Sequence, residues 1–198
     1  MDERPHPIGV VLAGGAGRRL GGAKAALALA GAPLISYPLA ALREALGEAV
    51  VVAKVDSELP ALPGVAVWEE PDEPRHPLTG IVHALERAAG GAVLVCAADM
   101  PLVGAALVRE LAEVDAAGAP AVVPRAGGRL QPLLARYEPA ALAPLRAALE
   151  ADGGPGPLTA AVAALAPRIV ECDDERAFLN VNVPADLARA AARLGGEA

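Results

Sequence analysis

Aromatic side chains, cysteines and long apolar segments are all scarce in this chain. Aromatic residues make up 2% of its 198 residues, so little material exists for stacking a nucleobase between rings, and the core must be built from Val, Leu and Ala. The two cysteines, Cys96 and Cys172, lie far apart without metal-ligand spacing, which favours buried thiols in a reducing cytoplasm. No segment resembles a signal peptide or a membrane span. We therefore expect a soluble, cytoplasmic protein with no membrane partner.

Positive charge is also in deficit. The chain has 17 Lys and Arg against 24 Asp and Glu, a net charge of −7. Proteins that bind nucleic acid cluster excess cations on one surface, and no such cluster is visible outside one glycine-rich loop, so we expect no nucleic-acid partner. A hydrophobic content of 54% is enough for a full core, and we predict a single domain over residues 1–198.

Short β-branched runs alternate with longer segments of helical apolar spacing along the whole chain. We predict strands at Ile8–Leu12, Ala49–Ala53, Val65–Trp68, Ala92–Ala97, Ala121–Val123 and Arg168–Cys172. We predict helices at Leu34–Leu46, Leu78–Ala89, Gly104–Ala117, Pro139–Glu150, Pro157–Ala164 and Pro184–Leu194. This alternation indicates an α/β fold, in three Rossmann-like α/β/α layers around a mostly parallel sheet.

The alternation changes between Pro124 and Tyr137. Residues Arg125–Arg129 are typical of a turn, and Leu130–Tyr137 fits a returning antiparallel strand. We expect this small hairpin insertion to form an added lobe over the edge of the sheet.

A glycine-dense loop with three cations follows directly on the first predicted strand. Five glycines between Gly14 and Gly22 allow backbone amides to approach an anion closely. Arg18, Arg19 and Lys24 supply positive charge. The loop therefore predicts a cradle for a small polyphosphate rather than a merely flexible surface loop.

This loop matches neither of the two commonest nucleotide signatures. A dinucleotide fingerprint starting at Gly15 needs a third glycine where Leu20 stands, which argues against a nicotinamide-linked dehydrogenase. A P-loop needs Ser or Thr after its lysine, but Lys24 is followed by Ala25. The remaining interpretation is that the loop binds a nucleoside triphosphate in a reaction that releases pyrophosphate.

Asp99 follows the predicted strand Ala92–Ala97. Open α/β sheets bind their ligands at the carboxyl ends of parallel strands, which is the edge that the glycine loop also occupies. An isolated Asp before a turn is more often a helix cap, but the shared edge favours a ligand role. Because Mg²⁺ needs only one or two carboxylates beside phosphate oxygens and water, we predict that Asp99 binds Mg²⁺.

Five motifs, in order, resemble those of molybdenum cofactor guanylyltransferases of the MobA type. They are the loop at 12–24, Pro77-Leu78-Thr79-Gly80-Ile81, Asp99-Met100-Pro101, Gln131-Pro132-Leu133 and Asn180-Val181-Asn182-Val183-Pro184-Ala185-Asp186-Leu187. The resemblance covers nearly the whole chain, and the closing motif is more specific than the loop. It implies that the terminal phosphate of molybdopterin attacks the α-phosphorus of GTP, with Mg²⁺ as cofactor and pyrophosphate as product. Proteins that deliver or accept the cofactor would be its partners.

The resemblance also implies roles for individual residues. The implied nucleotide-binding residues are Leu12, Ala13, Gly14, Gly15, Gly17, Arg18, Lys24, Glu70, Gly80 and Asp99; the catalytic ones are Lys24, Arg19 and Asp99; and the pterin-binding ones are Gln131, Asn180 and Asn182. For Glu70 a solvated charge in an acidic run is an equal alternative. Asn180 and Asn182 project to one face of an extended segment, although asparagines near Pro184 could also simply shape a turn.

The chain departs from the family pattern at a few positions. Ala23 stands where the family often has Asp, Leu20 where it often has Met, Gln131 where it commonly has His, and Ala53-Lys54 where it has a guanine-side Asn. His76 and His83 are not expected to act as general bases, because the nucleophile is an already anionic phosphate. Three alternatives to a guanylyltransferase stay open. They are a cytidylyl- or sugar-phosphate nucleotidylyltransferase, a non-catalytic nucleotide-binding protein, and the nicotinamide-linked dehydrogenase that the incomplete fingerprint disfavours.

Overall fold

The computed structural model describes residues 6–14 and 24–195, which form a mixed sheet with helices on both faces. The strands are β1 (Ile8–Leu12), β2 (Ala28–Leu29), β3 (Ala32–Pro33), β4 (Ala49–Ala53), β5 (Val67–Glu69), β6 (Val93–Ala97), β7 (Ala121–Ala126), β8 (Arg129–Leu130), β9 (Leu134–Tyr137) and β10 (Arg168–Glu171). The helices are α1 (Ser36–Leu46), α2 (Pro77–Arg87), α3 (Ala105–Glu113), α4 (Leu142–Leu149), α5 (Leu158–Ala164) and α6 (Pro184–Gly195). Short 3-10 helices lie at Lys24–Ala26, Pro139–Ala141 and Glu175–Phe178. No helix among the described residues has the length and apolar character needed to cross a membrane.

The main sheet has eight strands in the order β10-β7-β9-β6-β1-β4-β5, with β8 paired to β7. Strands β6, β1, β4 and β5 are mutually parallel, β9 is antiparallel to both β6 and β7, and β10 is parallel to β7. Strands β2 and β3 form a separate antiparallel pair that the sequence did not predict. The predicted α/β architecture with a mostly parallel sheet is confirmed, and β1 and β4 have the predicted bounds.

Apolar residues alternate between the two faces of the central strands and build two cores. Val11 and Val51 belong to the core that α1 and α3 cover, whereas Val10 and Val52 belong to the core under α2, α4 and α5. Strand β6 is buried at every position, as expected for a parallel strand with helices on both faces. Helices thus cover both faces of the central strands.

The segment between β7 and β9 differs from its predicted position. Strands β7 and β8 form the predicted hairpin, with Gly127 and Gly128 at positive φ in its turn. The prediction that this segment forms an added lobe over the sheet edge is wrong, because β9 lies inside the sheet between β6 and β7. All four residues of β9 are buried, and the guanidinium of Arg136 is accommodated there by Glu138 and by the backbone oxygens of Leu111 and Val114.

The parallel strands β6, β1, β4 and β5 bring four chain segments to the same edge. Asp99 follows β6, Gly14 follows β1, Lys54 follows β4 and Glu70 follows β5. Backbone bonds fix these segments: the amide nitrogens of Ala13, Ala98 and Glu70 donate to the oxygens of Val52, Leu12 and Ala53 at 2.8, 3.0 and 2.9 Å. This edge is where open α/β sheets place their ligand crevice.

Candidate active site

A cavity of about 290 Å³ opens at the carboxyl edge of the parallel strands. Its lining residues are Leu12, Ala13, Gly14, Lys24, Ala25, Lys54, Glu70, Arg75, His76, Pro77, Gly80, Ala97, Ala98, Asp99 and Leu133. Seven residues predicted to bind nucleotide therefore share one cavity: Leu12, Ala13, Gly14, Lys24, Glu70, Gly80 and Asp99. Gly15, Gly17, Arg18 and Arg19 lie outside the described residues, so their roles stay predictions.

Lys24 joins three sequence motifs at one side of this cavity. Its Nζ donates to Oδ2 of Asp99 at 2.5 Å and to Oδ1 of Asn182 at 2.7 Å. These partners lie 75 and 158 residues away in the sequence. The amide nitrogen of Val181 also donates to the backbone oxygen of Asp99 at 2.9 Å, which ties the closing motif to the strand end. A cation, a carboxylate and an amide oxygen are thus held together at the crevice.

Asp99 and Asn180, the first residue of the closing motif, each have one buried side-chain oxygen with no hydrogen-bond partner among the described residues. These oxygens are Oδ1 of Asp99 and Oδ1 of Asn180. A buried oxygen without a partner costs free energy, so a donor or a cation is expected to satisfy Asp99. No group of three or more His, Cys, Asp or Glu residues within the described ranges could hold a metal alone. A divalent cation at Asp99 would take its other ligands from phosphate oxygens and water, as Mg²⁺ commonly does.

Asp186, the acidic residue of the closing motif, bonds to the backbone of the same motif. Its Oδ2 accepts the backbone N–H groups of Asn182 and Val183 at 3.0 and 3.1 Å, at the start of α6. These bonds, first that from Asn182, hold the pKa of Asp186 below its usual value. The carboxylate thus fixes the segment that carries Asn182, and its role is structural.

A buried ion pair lies at the other side of the cavity. The side chains of Lys54 and Glu70 are 2% and 5% exposed, and Lys54 Nζ lies 3.6 Å from Oε1 of Glu70. Lys54 also donates to the backbone oxygen of Pro71, whereas Oε2 of Glu70 has no partner among the described residues. Burial raises the pKa of Glu70, and the Lys54 ammonium opposes this shift. The alternative that Glu70 is a solvated surface charge is therefore wrong.

Sequence reasoning assigned no role to Lys54, although a signal was available. The chain contains only two lysines, Lys24 and Lys54, among its 17 cationic residues. Both lysines line the cavity. All the other cationic residues are arginines, so the two lysines could have been singled out from the sequence as candidate site residues.

Two glycines leave room for the Glu70 carboxylate. A Cβ at Gly14 would overlap Oε1 of Glu70, and a Cβ at Gly80 would lie 3.0 Å from Oε2. Gly14→Ala is therefore expected to displace Glu70 and to lower the free energy of unfolding by about 1–3 kcal/mol, the usual cost of overpacking. Chemical denaturation measures this change. Gly156→Ala, at an exposed position with open space around it, is the control; equal stabilities of the two variants would contradict the packing argument.

The three residues predicted to bind the pterin, Gln131, Asn180 and Asn182, are not among those that line the cavity. Gln131 follows β8, donates weakly to the backbone oxygen of Arg129 at 3.4 Å and is not among the lining residues. Asn182 reaches the site through Lys24. His76 lines the cavity, but its Nδ1 accepts the amide of Leu78 and caps α2, and burial lowers its pKa. Because its Nδ1 is engaged in the cap, His76 has a structural role at the start of α2.

Comparison with known proteins extends these observations. A family model described as a MobA-like NTP transferase domain matches residues 9–176. The chain is 38% identical over 195 residues to a molybdenum cofactor guanylyltransferase of Cereibacter sphaeroides, covering 96% of this chain and 98% of the relative. It is 36% identical over 200 residues to a probable molybdenum cofactor guanylyltransferase of Chloroflexus aggregans, covering 94% of each. The crystal structure of molybdopterin-guanine dinucleotide biosynthesis protein A from Archaeoglobus fulgidus is similar, with a TM-score of 0.75, 26% identity and coverage of 96% and 99%.

Proposed function

The chain belongs to the MobA-like NTP transferase family, and from this premise we propose that it is a molybdenum cofactor guanylyltransferase. Membership confirms the resemblance drawn from the sequence motifs and makes the chain a nucleotidyltransferase. The finer proposal is that GTP is the donor, that the terminal phosphate of molybdopterin is the acceptor, and that Mg²⁺ is the cofactor. The 198 residues would act as one cytoplasmic domain without a nucleic-acid partner, in keeping with the net charge of −7.

The main structural support for this proposal is the contact of Lys24 with Asp99 and Asn182. Phosphoryl transfer depends chiefly on positioning and on neutralising the charge of the phosphates. A cation bonded to a carboxylate at 2.5 Å and to an amide oxygen at 2.7 Å provides both the charge and the fixed geometry. The glycine loop lies between β1 and Lys24, where its amides would bind the triphosphate.

In the proposed reaction an oxygen of the terminal phosphate of molybdopterin forms a bond to the α-phosphorus of GTP. The bond from that phosphorus to the bridging oxygen of the β-phosphate breaks, and pyrophosphate leaves with its electron pair. No proton has to be removed from an anionic phosphate nucleophile. Lys24, which has a third N–H besides the two donated to Asp99 and Asn182, would donate to the phosphates.

Mg²⁺ fits the residues around Asp99. When bound, the metal would neutralise phosphate charge and orient the reacting groups. Asp99 would hold it through the carboxylate, whose Oδ1 has no partner among the described residues. Asn180 and Asn182 would face the pterin with Gln131, and Arg18 and Arg19 would add positive charge to the loop. Proteins that deliver the pterin or accept the product would dock near this opening.

A thermal-shift panel with GTP, CTP, ATP and UTP in Mg²⁺ tests the choice of nucleotide. A ligand at 100 times its Kd stabilises the folded protein by about 2.7 kcal/mol, which raises the Tm of a chain of this size by roughly 5–10 °C. We expect that shift with GTP alone. A shift with CTP instead would identify a cytidylyl enzyme. If GTP binds but no pyrophosphate forms with molybdopterin, the chain is a non-catalytic nucleotide-binding protein.

A further inference from the structure

The contact between Lys24 and Asp99 affects how this side of the cavity can accept a metal ion. The ammonium donates to Oδ2 of Asp99 at 2.5 Å, and the other oxygen of that carboxylate, Oδ1, is buried without a partner among the described residues. The two side chains are only 15% and 20% exposed, so water weakly screens any further charge placed beside them. A divalent cation that binds Asp99 must therefore either lie beside the ammonium or take its place.

The lining of the cavity carries positive charge although the chain as a whole is acidic. Among the described lining residues there are three cationic side chains and two carboxylates, namely Lys24, Lys54 and Arg75 against Glu70 and Asp99. The whole chain, by contrast, has a net charge of −7. A cavity of this charge repels a free divalent cation and attracts a polyphosphate anion.

A bound triphosphate would reverse the balance at Asp99. Its oxygens can accept from the Lys24 ammonium in place of Asp99, and they can also ligate a metal beside the carboxylate. The ammonium would keep its bond to Oδ1 of Asn182, which measures 2.7 Å. Asn182 is held without help from the Asp99 carboxylate, because its backbone N–H donates to Asp186 and the helix that follows, α6, packs against β2. Lys24 can therefore exchange Asp99 for phosphate oxygens while one of its partners stays fixed.

We propose that Lys24 controls metal binding at Asp99: its ammonium opposes a divalent cation there until the phosphates of a nucleotide engage it, so that metal and nucleotide bind cooperatively. The inference rests on the proposed function and deepens it, because it names the residue that regulates binding of the metal. Binding free energies are linked reciprocally, so the metal must strengthen nucleotide binding by the factor by which the nucleotide strengthens metal binding. Couplings of this kind usually amount to about 5- to 150-fold in affinity.

Binding of Mn²⁺ without nucleotide is the direct test, because it does not depend on turnover. Mn²⁺ is used in place of Mg²⁺ since its electron paramagnetic resonance signal reports the concentration of the free ion. Lys24→Met removes the ammonium but keeps a side chain of similar length. We expect this variant to bind Mn²⁺ at least about 10-fold more tightly than the wild type. A substitution that removed only a structural support would weaken Mn²⁺ binding instead.

The coupling between metal and nucleotide gives a second readout. The affinity for GTP is measured by calorimetry with saturating Mn²⁺ and without any divalent metal, and the ratio of the two affinities is compared between proteins. Binding of Mn²⁺ to GTP in solution contributes equally to every ratio, so it cancels in the comparison. We expect Mn²⁺ to increase the affinity for GTP by a factor at least about 10 times larger in the wild type than in Lys24→Met.

Three further variants separate the charge of Lys24 from other effects. Lys24→Gln removes the charge but keeps an N–H group for Asp99; it should bind Mn²⁺ as Lys24→Met does, and it covers the case in which the methionine variant fails to fold. Lys24→Met/Asp99→Asn should lose the tightened binding, because the carboxylate is gone. Arg75→Met is the matched control, since Arg75 lines the same cavity but pairs with Asp56 and Glu73. Its affinity for Mn²⁺ should stay within about threefold of the wild-type value.

Equal Mn²⁺ affinities of the wild type and the folded Lys24 variants would overturn the role of Lys24 while leaving guanylyl transfer intact. Tightened binding that persists after Asp99→Asn would also overturn it, because the metal would then lie elsewhere. A wild-type protein in which CTP rather than GTP couples to Mn²⁺, or which binds no triphosphate, would instead overturn the proposed function.

Discussion

We expect Asp99→Ala to abolish the proposed Mg²⁺-dependent transfer of the guanylyl group and to leave the fold intact. The carboxylate is the only acidic side chain lining the cavity on the Lys24 side among the described residues, so its loss leaves the metal without a protein anchor. The backbone oxygen of Asp99, which accepts from Val181, is unchanged by the substitution. We expect turnover to fall by at least about 10³-fold, since positioning and charge neutralisation supply most of the rate.

Pyrophosphate release with GTP, molybdopterin and Mg²⁺ measures this loss, and circular dichroism with thermal unfolding checks the fold. A titration with Mg²⁺ adds a second readout: GTP binding by wild type should tighten as Mg²⁺ is added, and binding by Asp99→Ala should not. Asp152→Ala, at an exposed loop position, is the control and should behave as wild type. Retained turnover by Asp99→Ala would refute the assignment of the metal to this carboxylate.

We expect Lys24→Ala to lower kcat/KM roughly 10²–10³-fold, which corresponds to about 3–4 kcal/mol of lost transition-state stabilisation, the usual effect of removing one electrostatic donor. Lys24 is the cation that contacts both Asp99 and Asn182, so its removal also releases the contact between the strand end and the closing motif. The effect should lie mainly in kcat if the ammonium acts on charge that develops as pyrophosphate leaves.

Steady-state kinetics with GTP as the varied substrate separates kcat from KM for Lys24→Ala. Lys24→Arg keeps the charge but changes its shape, and we expect it to recover part of the rate. Arg43→Ala, an exposed cation on α1 outside the cavity lining, is the control for removing a positive charge. Near-normal rates in Lys24→Ala would transfer the role to Arg18 or Arg19.

Local patterns predicted the central strands because their residues are apolar on both faces, as in β1 and β6. The position of β9 could not be predicted in this way. Its order in the sheet depends on pairing with β6 and β7 across the fold, and Arg136 interrupts its apolar pattern. Strands β2 and β3, of two residues each, are too short to produce a periodic signal.

Some residues of the candidate site could be predicted from sequence motifs, and others could be found only in the structure. Lys24, Asp99 and Asn182 belong to sequence motifs, and the structure brings them into contact. The burial of Glu70 with Lys54 was not predictable from local sequence, because Lys and Glu are usually exposed unless they are paired. Their pairing arises from two neighbouring parallel strands, β4 and β5, that end side by side. It is a property of the tertiary fold.

Because lysine is rare in this chain, reagents specific for primary amines can label the cavity selectively. Apart from the amino terminus, the two side chains that line the cavity are the only primary amines in the chain. A dialdehyde made by periodate oxidation of the ribose of GTP forms Schiff bases with primary amines and not with guanidinium groups. Borohydride trapping would therefore attach such a reagent to the binding pocket and leave the arginine-rich exterior unmodified.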